Sequence, residues 1–157
     1  MATRSTHPRV IVAGLGNIFL GDDAFGVEVT RTLMTRPIPD DVRVLDIGLR
    51  SLYLGYELAE TGCDTVVLVD CVQRGGAPGT LYVLQPEQVD DQANVALEPH
   101  AVRPDSVSVV ARSLGARAAR ILIVGCEPAH FDPAAPLSAA VAAAIGPAAQ
   151  LVCELCA

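Results

Sequence analysis

Short apolar runs alternate with amphipathic stretches along the chain, and the alternation predicts a β-α-β rhythm. Val10-Ile11-Val12-Ala13-Gly14 is rich in β-branched residues and ends in glycine, the pattern of a strand buried on both faces. After the loop Leu15 to Gly21, the stretch Asp23 to Met34 places Phe25, Val29 and Leu33 at intervals of four. Acids at its start and Arg31 and Arg36 toward its end suit a helix dipole, so a helix is expected there. Val42 to Leu45 reads as a second strand closing on Asp46, and Leu52 to Ala59 as a second helix with Ser51 placed to cap it. Cys63 to Cys71 contains Val66-Val67-Leu68-Val69, the strongest strand signal in the chain, which delivers Asp70 at its C-terminal end.

Gly75-Gly76-Ala77-Pro78-Gly79 reads as a turn, and Thr80 to Leu84 alternates like a half-buried strand. The link is too short for a crossover helix, so this strand should run antiparallel at or near an edge. Val89 to Arg103 reads as a long polar loop around His100, ahead of a helix from about Pro104 to Leu114. Arg120 to Gly125 is the last expected strand, and Ser138 to Leu155 an alanine-rich helix kinked or broken at Pro147. Five strands alternating with helices predict one three-layer α/β domain over residues 1–157, with a flexible N-terminus (1–8) and a mostly parallel five-stranded sheet carrying one antiparallel strand. Ligands of such sheets bind beyond the carboxyl ends of the strands. The loop after the first strand, Asp46 and Asp70 should therefore open onto one rim.

Composition narrows the function. The chain has 157 residues and is 51% apolar, yet no run of about 18 uncharged apolar residues suggests a membrane span. Met1 to Arg9 is polar and lacks a secretory core, which predicts a cytoplasmic protein. Five cysteines without a framework fit reduced thiols, and Cys153-Glu-Leu-Cys156 reads as helix packing in preference to a zinc knuckle. A net charge of −7 with 11 Lys plus Arg and no basic run excludes a nucleic-acid footprint. Gly14-Leu15-Gly16 opens like a dinucleotide fingerprint, but Phe19 stands where the third glycine belongs and Asp22 and Asp23 would face phosphate. Neither G-x-S-x-G nor H-E-x-x-H occurs.

Acids at strand ends are the candidate chemistry. Asp22 and Asp23 read first as helix-capping residues. Asp70 ends an apolar strand, where a buried charge needs a cation or donors, or else caps the following turn. Asp46 is a turn residue or a site residue, and His100 a surface histidine or a ligand. His7 reads as part of the flexible N-terminus and His130 as a surface residue. One imidazole with two carboxylates would suit a borderline divalent ion such as nickel or zinc.

Beyond single residues, Gly14-Leu-Gly-Asn-Ile-Phe-Leu-Gly-Asp-Asp-Ala-Phe-Gly-Val27 resembles the opening motif of the hydrogenase maturation endopeptidases. Asp46-Ile-Gly48 is similar to that family's D-G-G segment, Val67 to Asp70 to its strand with a terminal aspartate, and Ala77-Pro-Gly-Thr-Leu81 to its A-P-G-T-L turn. Pro99-His100, Gly125-Cys-Glu-Pro128 and Pro136-Leu-Ser138 follow in the family's order. The resemblance implies a twisted five-stranded sheet between helices and an endopeptidase that removes the C-terminal extension from a nickel-loaded precursor of a nickel-iron hydrogenase large subunit. It implies Asp23, Asp70 and His100 as the metal-binding set and Asp46 as a further aspartate important for activity, with Asp23, Asp46 and Asp70 as the catalytic carboxylates. The nickel would come from the precursor, zinc or cadmium could replace it in vitro, and the enzyme would be a monomer. Ala24 and Ile47 stand where the family usually has glycine, and Ile47 would be strained if the backbone there required a positive φ. A nickel-recognising assembly factor without peptidase activity is the alternative.

Overall fold

The computed structural model describes residues 7–89, 107–114 and 120–157. Five strands, β1 (Val10–Leu15), β2 (Val42–Gly48), β3 (Thr65–Cys71), β4 (Leu81–Leu84) and β5 (Arg120–Cys126), form one sheet in the order β2-β1-β3-β5-β4. All neighbours are parallel except β4, which pairs antiparallel with β5 at the edge, as its short connection requires. Among the described residues, four α-helices accompany them: α1 (Phe25–Leu33), α2 (Ser51–Thr61), α3 (Val107–Leu114) and α4 (Ala139–Cys156).

Strand alternation sorts the apolar residues into two cores. Ile11, Ala13, Leu15, Val66, Leu68, Ile121 and Ile123 meet Leu54 and Leu58 of α2 and Val107, Val110 and Leu114 of α3. Val10, Val12, Val67, Val69, Leu122 and Val124 face the other way, onto α1 and α4. The three layers follow from this division, because a strand apolar at every position must be covered on both faces. The apolar helix α4 has the length and hydropathy of a membrane span. Here Val141, Ala144, Ala148, Ala149 and Val152 are buried in the second core, which accounts for its composition.

Helix α1 lies unusually close to the sheet. A Cβ on Gly26 would sit 2.1 Å from the Val69 carbonyl oxygen and 2.4 Å from that of Leu15, and one on Gly14 would sit 2.3 Å from the Gly26 carbonyl oxygen. Gly14 and Gly26 thus allow the helix backbone to touch β1 and β3.

Element boundaries differ from the sequence expectation in instructive places. The acidic pair lies in a 3₁₀ turn, Gly21–Ala24, and α1 starts only at Phe25; neither aspartate caps either element. Strand β2 runs on through Asp46 to Gly48, because Gly14 pairs with Asp46 and Leu15 with Gly48, leaving Ile47 as a bulge. The positive φ of this segment belongs to Gly48 (+58°), while Ile47 is buried at ordinary φ, so the expected strain at Ile47 does not arise. Ser51 is the first residue of α2 and Arg50 takes the cap position. Pro147 lies inside an unbroken α4. The expected start of α3 near Pro104 lies outside the described residues.

Gly26→Ala should destabilise the protein by about 3 kcal/mol, as overpacking against fixed backbone does. Gly62→Ala, which meets nothing within 4 Å and changes only a left-handed φ of +59°, should cost about 1–2 kcal/mol. Urea midpoints measure both, and equal losses would mean that α1 is not locked onto the sheet.

Candidate active site

At the C-terminal end of β1 the chain turns at Gly16, with φ +118°. A Cβ there would stand 2.0 Å from the carbonyl oxygen of Asp23 and 3.3 Å from Oδ1 of Asp70. The backbone of Asp23 and the carboxylate of Asp70, distant in sequence, therefore both crowd one glycine. The Asn17 backbone N–H donates to Asp23 Oδ2 at 2.8 Å, and the Cys71 N–H donates to Asp70 Oδ1 at 2.7 Å. Asp23 and Asp70 are both buried, 7% and 5% exposed, at the rim where a parallel sheet presents its loops.

Asp46 sits across β1 in register with Gly14 and is more open, its side chain 37% exposed. Its Oδ2 lies 3.7 Å from Nε of Arg31 on α1, and its carbonyl accepts from Arg50 Nη2 at 2.9 Å. Alternation along β2 turns this side chain toward the α1 layer. His100 lies outside the described residues. Among the described residues, no three His, Cys, Asp or Glu side chains are grouped to hold an ion. Asp23 and Asp70 supply hard oxygen donors, and a donor set with a nitrogen ligand needs a further residue.

Asp22 is completely buried. Its Oδ2 accepts from the N–H groups of Ala129 (2.7 Å) and His130 (3.1 Å) and from the Ser138 hydroxyl (3.0 Å), while Oδ1 accepts from the Ser138 N–H (2.7 Å). Burial works against its charge, but the donors at Ser138, Ala129 and His130 outweigh it and leave the carboxyl below its ordinary range. Ser138 is also the N-cap of α4, accepting from the Val141 N–H at 3.4 Å, so the charge lies at the positive end of a long helix. His130, read from sequence as a surface residue, is partly buried, and a Cβ on Gly21 would meet its Nδ1 at 2.6 Å.

Glu127 is the buried acid that residue-level reading missed. Its Oε1 accepts from the N–H groups of Arg74 (2.9 Å) and Gly76 (2.8 Å) and from the Tyr82 hydroxyl (2.9 Å), tying the loop after β3 to the end of β5. Only its place in the Gly125-Cys-Glu-Pro128 turn marked it out.

The rim thiols are kept protonated. Burial first, and then the charges of Asp70, Asp23 and Asp22, push Cys71 well above the ordinary thiol range, and its Sγ donates to the Asp22 carbonyl at 2.8 Å. Burial likewise pushes Cys126 up to about 12 and, at the opposite end of the sheet beside Arg9, Cys156 up to about 11.

The rim is thus lined by buried acids and protonated thiols on a five-stranded α/β domain. Residues 27–155 match the hydrogenase maturation protease family model HycI, and the chain belongs to that family. It is similar to the Hydrogenase 2 maturation protease of Escherichia coli K12, 33% identical over 92% of this chain and 88% of the relative. It is also similar to the hydrogenase expression/formation protein HupD of Bradyrhizobium diazoefficiens, 31% identical over 99% of this chain and 81% of the relative. Among solved structures, the [NiFe] hydrogenase maturation protease HycI of Thermococcus kodakarensis superposes with a TM-score of 0.76, at 27% identity over 96% of this chain and 94% of that one. The hydrogenase maturating endopeptidase HybD of Escherichia coli gives 0.73, at 29% identity over 94% and 91%. The chain is accordingly a hydrolase, an endopeptidase of hydrogenase maturation.

Two outcomes follow from the electrostatics. Because the folded Asp22 carboxyl is more acidic than in the unfolded chain, its stabilisation is complete above the ordinary carboxylate pKa of about 4 and is lost as pH falls through the depressed value. The difference in Tm between wild type and Asp22→Asn should therefore be largest near neutrality and shrink below about pH 4, whereas a gap constant with pH would show that the charge contributes nothing. Alkylation of Cys71, Cys126 and Cys156 by iodoacetamide at pH 8 should be at least roughly a hundredfold slower in the native protein than in urea. Rapid native labelling of Cys71, read by mass spectrometry, would contradict the site as described.

Proposed function

We propose that the enzyme removes the C-terminal extension from a nickel-loaded precursor of a nickel-iron hydrogenase large subunit. The observation that carries this reading is the packing of the Asp23 backbone and the Asp70 carboxylate against Gly16, with the Asp23 carboxylate held by the N–H of the next residue, Asn17, at the rim to which the family resemblance assigns metal-binding acids. Asp23, Asp70 and His100 hold the nickel that arrives as part of the substrate, which selects precursors already charged with metal. The scissile peptide then lies beside the carboxylates.

Peptide hydrolysis needs a water activated for attack and a carbonyl made electrophilic. A carboxylate of the site takes a proton from the attacking water and can return it to the leaving amine. Asp46 is a candidate for that base, being the most open of the three aspartates, with Nε of Arg31 3.7 Å from its Oδ2. Polarisation of the carbonyl by the substrate's metal is the complementary route. Zinc or cadmium would occupy the same donors in vitro. Release of the tail as a free peptide is the sole covalent change, and the enzyme acts as a cytoplasmic monomer.

A nickel-recognising assembly factor without peptidase activity was the rival suggested by Ile47. Its ordinary φ and its burial in the first core leave Ile47 no strain to explain, so it lends that rival no support.

Purified wild-type enzyme should shorten nickel-loaded precursor and leave nickel-free precursor intact, as read by gel mobility and intact mass. Asp23→Asn, Asp70→Asn and His100→Ala should each slow processing by roughly a hundredfold or more while remaining folded. Wild-type processing by Asp23→Asn and Asp70→Asn would remove that pair from the chemistry, and cleavage of nickel-free precursor would remove the metal from recognition.

A further inference from the structure

Asp22 stands next to a proposed ligand yet has every feature of a structural joint. It is sealed from water and saturated by four donors from residues 129–138. Three further links run through the same neighbourhood. The Asp22 N–H donates to the His130 carbonyl at 3.1 Å, the Ala134 N–H donates to the Phe19 carbonyl at 2.8 Å, and Leu20 bridges Pro133. Ala134 adopts a left-handed φ of +58°, a conformation costly for alanine that the surrounding contacts sustain.

We infer that Asp22 is the positioning residue of the site: its carboxylate clasps the loop after β5 and the start of α4, and thereby fixes the 3₁₀ turn that aims Asp23. The aiming has two visible steps. The turn is closed by the Asp23 N–H donating to the Leu20 carbonyl at 3.0 Å, and the Asp23 carboxylate is then received by the Asn17 N–H at 2.8 Å. Loosening the clasp frees the residue before Asp23 while leaving Asp23 itself chemically intact. The acidic pair is therefore divided, with Asp22 spending its hydrogen-bonding capacity inward and Asp23 standing at the rim. This assignment rests on the proposed function only where Asp23 is given a catalytic part; the geometric part stands without it.

The Asn17 amide reports the position of the Asp23 carboxylate independently of activity. Asp22→Asn places an amide N–H₂ among N–H donors, so the Asn17 amide proton should shift and exchange faster, in the direction set by Asp23→Asn as reference. Ser138→Ala, which deletes one of the four donors, should give a smaller shift of the same sign and serves if Asp22→Asn does not fold. Val152→Ala, which opens a cavity in the α4 core, is the stability control and should leave Asn17 unmoved. With nickel-loaded precursor, Asp22→Asn should lose ten- to a hundredfold in kcat with KM within about twofold, measured at a temperature where it is folded. An unshifted Asn17 in both clasp variants, or an equal shift in Val152→Ala, would overturn the assignment. So would a shifted Asn17 with kcat unchanged in an enzyme whose wild type cleaves. If the wild type fails to cleave the precursor, the proposed function falls while the Asn17 result still decides whether Asp22 aims Asp23.

Discussion

A carboxylate removed from water must be repaid in hydrogen bonds, and the rim of this protein is organised around one such group. Desolvating an ion costs several kcal/mol, whereas each hydrogen bond to a charged group is worth about 1.5–3 kcal/mol. Asp22 receives four, from Ala129, His130 and twice from Ser138. Those donors belong to a segment far along the chain, so satisfying this one charge decides where the loop after β5 runs and where α4 begins. The same contacts place the turn that carries Asp23.

Close backbone approach is the second condition. Gly14 and Gly26 let α1 rest on β1 and β3, and Gly16 lets the Asp23 carbonyl and the Asp70 carboxylate share one small volume. A side chain at any of the three would force the helix or the acids apart. The glycine pattern that resembles a phosphate-binding loop here lets the turn that carries Asp23 pack against the Asp70 carboxylate. Glu127 acts on the opposite side of the rim as Asp22 does on this one, gathering Arg74, Gly76 and Tyr82 with a single oxygen.

The sheet was readable from the sequence because its strands are buried on both faces and announce themselves as unbroken β-branched runs; β4 was readable as antiparallel because its connection is too short to cross over. Asp70 was placed at its strand end by the same logic. The β2 bulge was not readable, since a single extra residue leaves no mark on an apolar pattern, and it moved Asp46 into the strand and the positive φ onto Gly48. Nor could local patterning show that Asp22 is anchored by Ser138 in preference to capping its own helix, because the partners are separated by most of the chain.

Adjacent acids of one sequence type acquire opposite roles from their surroundings alone. A fully donated carboxylate is held ionised and has little left to offer a substrate, since its lone pairs are already committed. Asp22 meets that description, with donors on both oxygens and a helix N-terminus beside it. A carboxylate able to bind a cation or accept a proton from water needs the reverse, a fixed position with coordination left for the reaction. The single-residue step along a tight 3₁₀ turn rotates successive side chains by about a third of a turn. Two neighbouring aspartates consequently cannot point the same way, and once Asp22 is committed to the interior, Asp23 is directed elsewhere. The order Asp-Asp is in this sense a device: the first residue supplies the rigidity that the second requires.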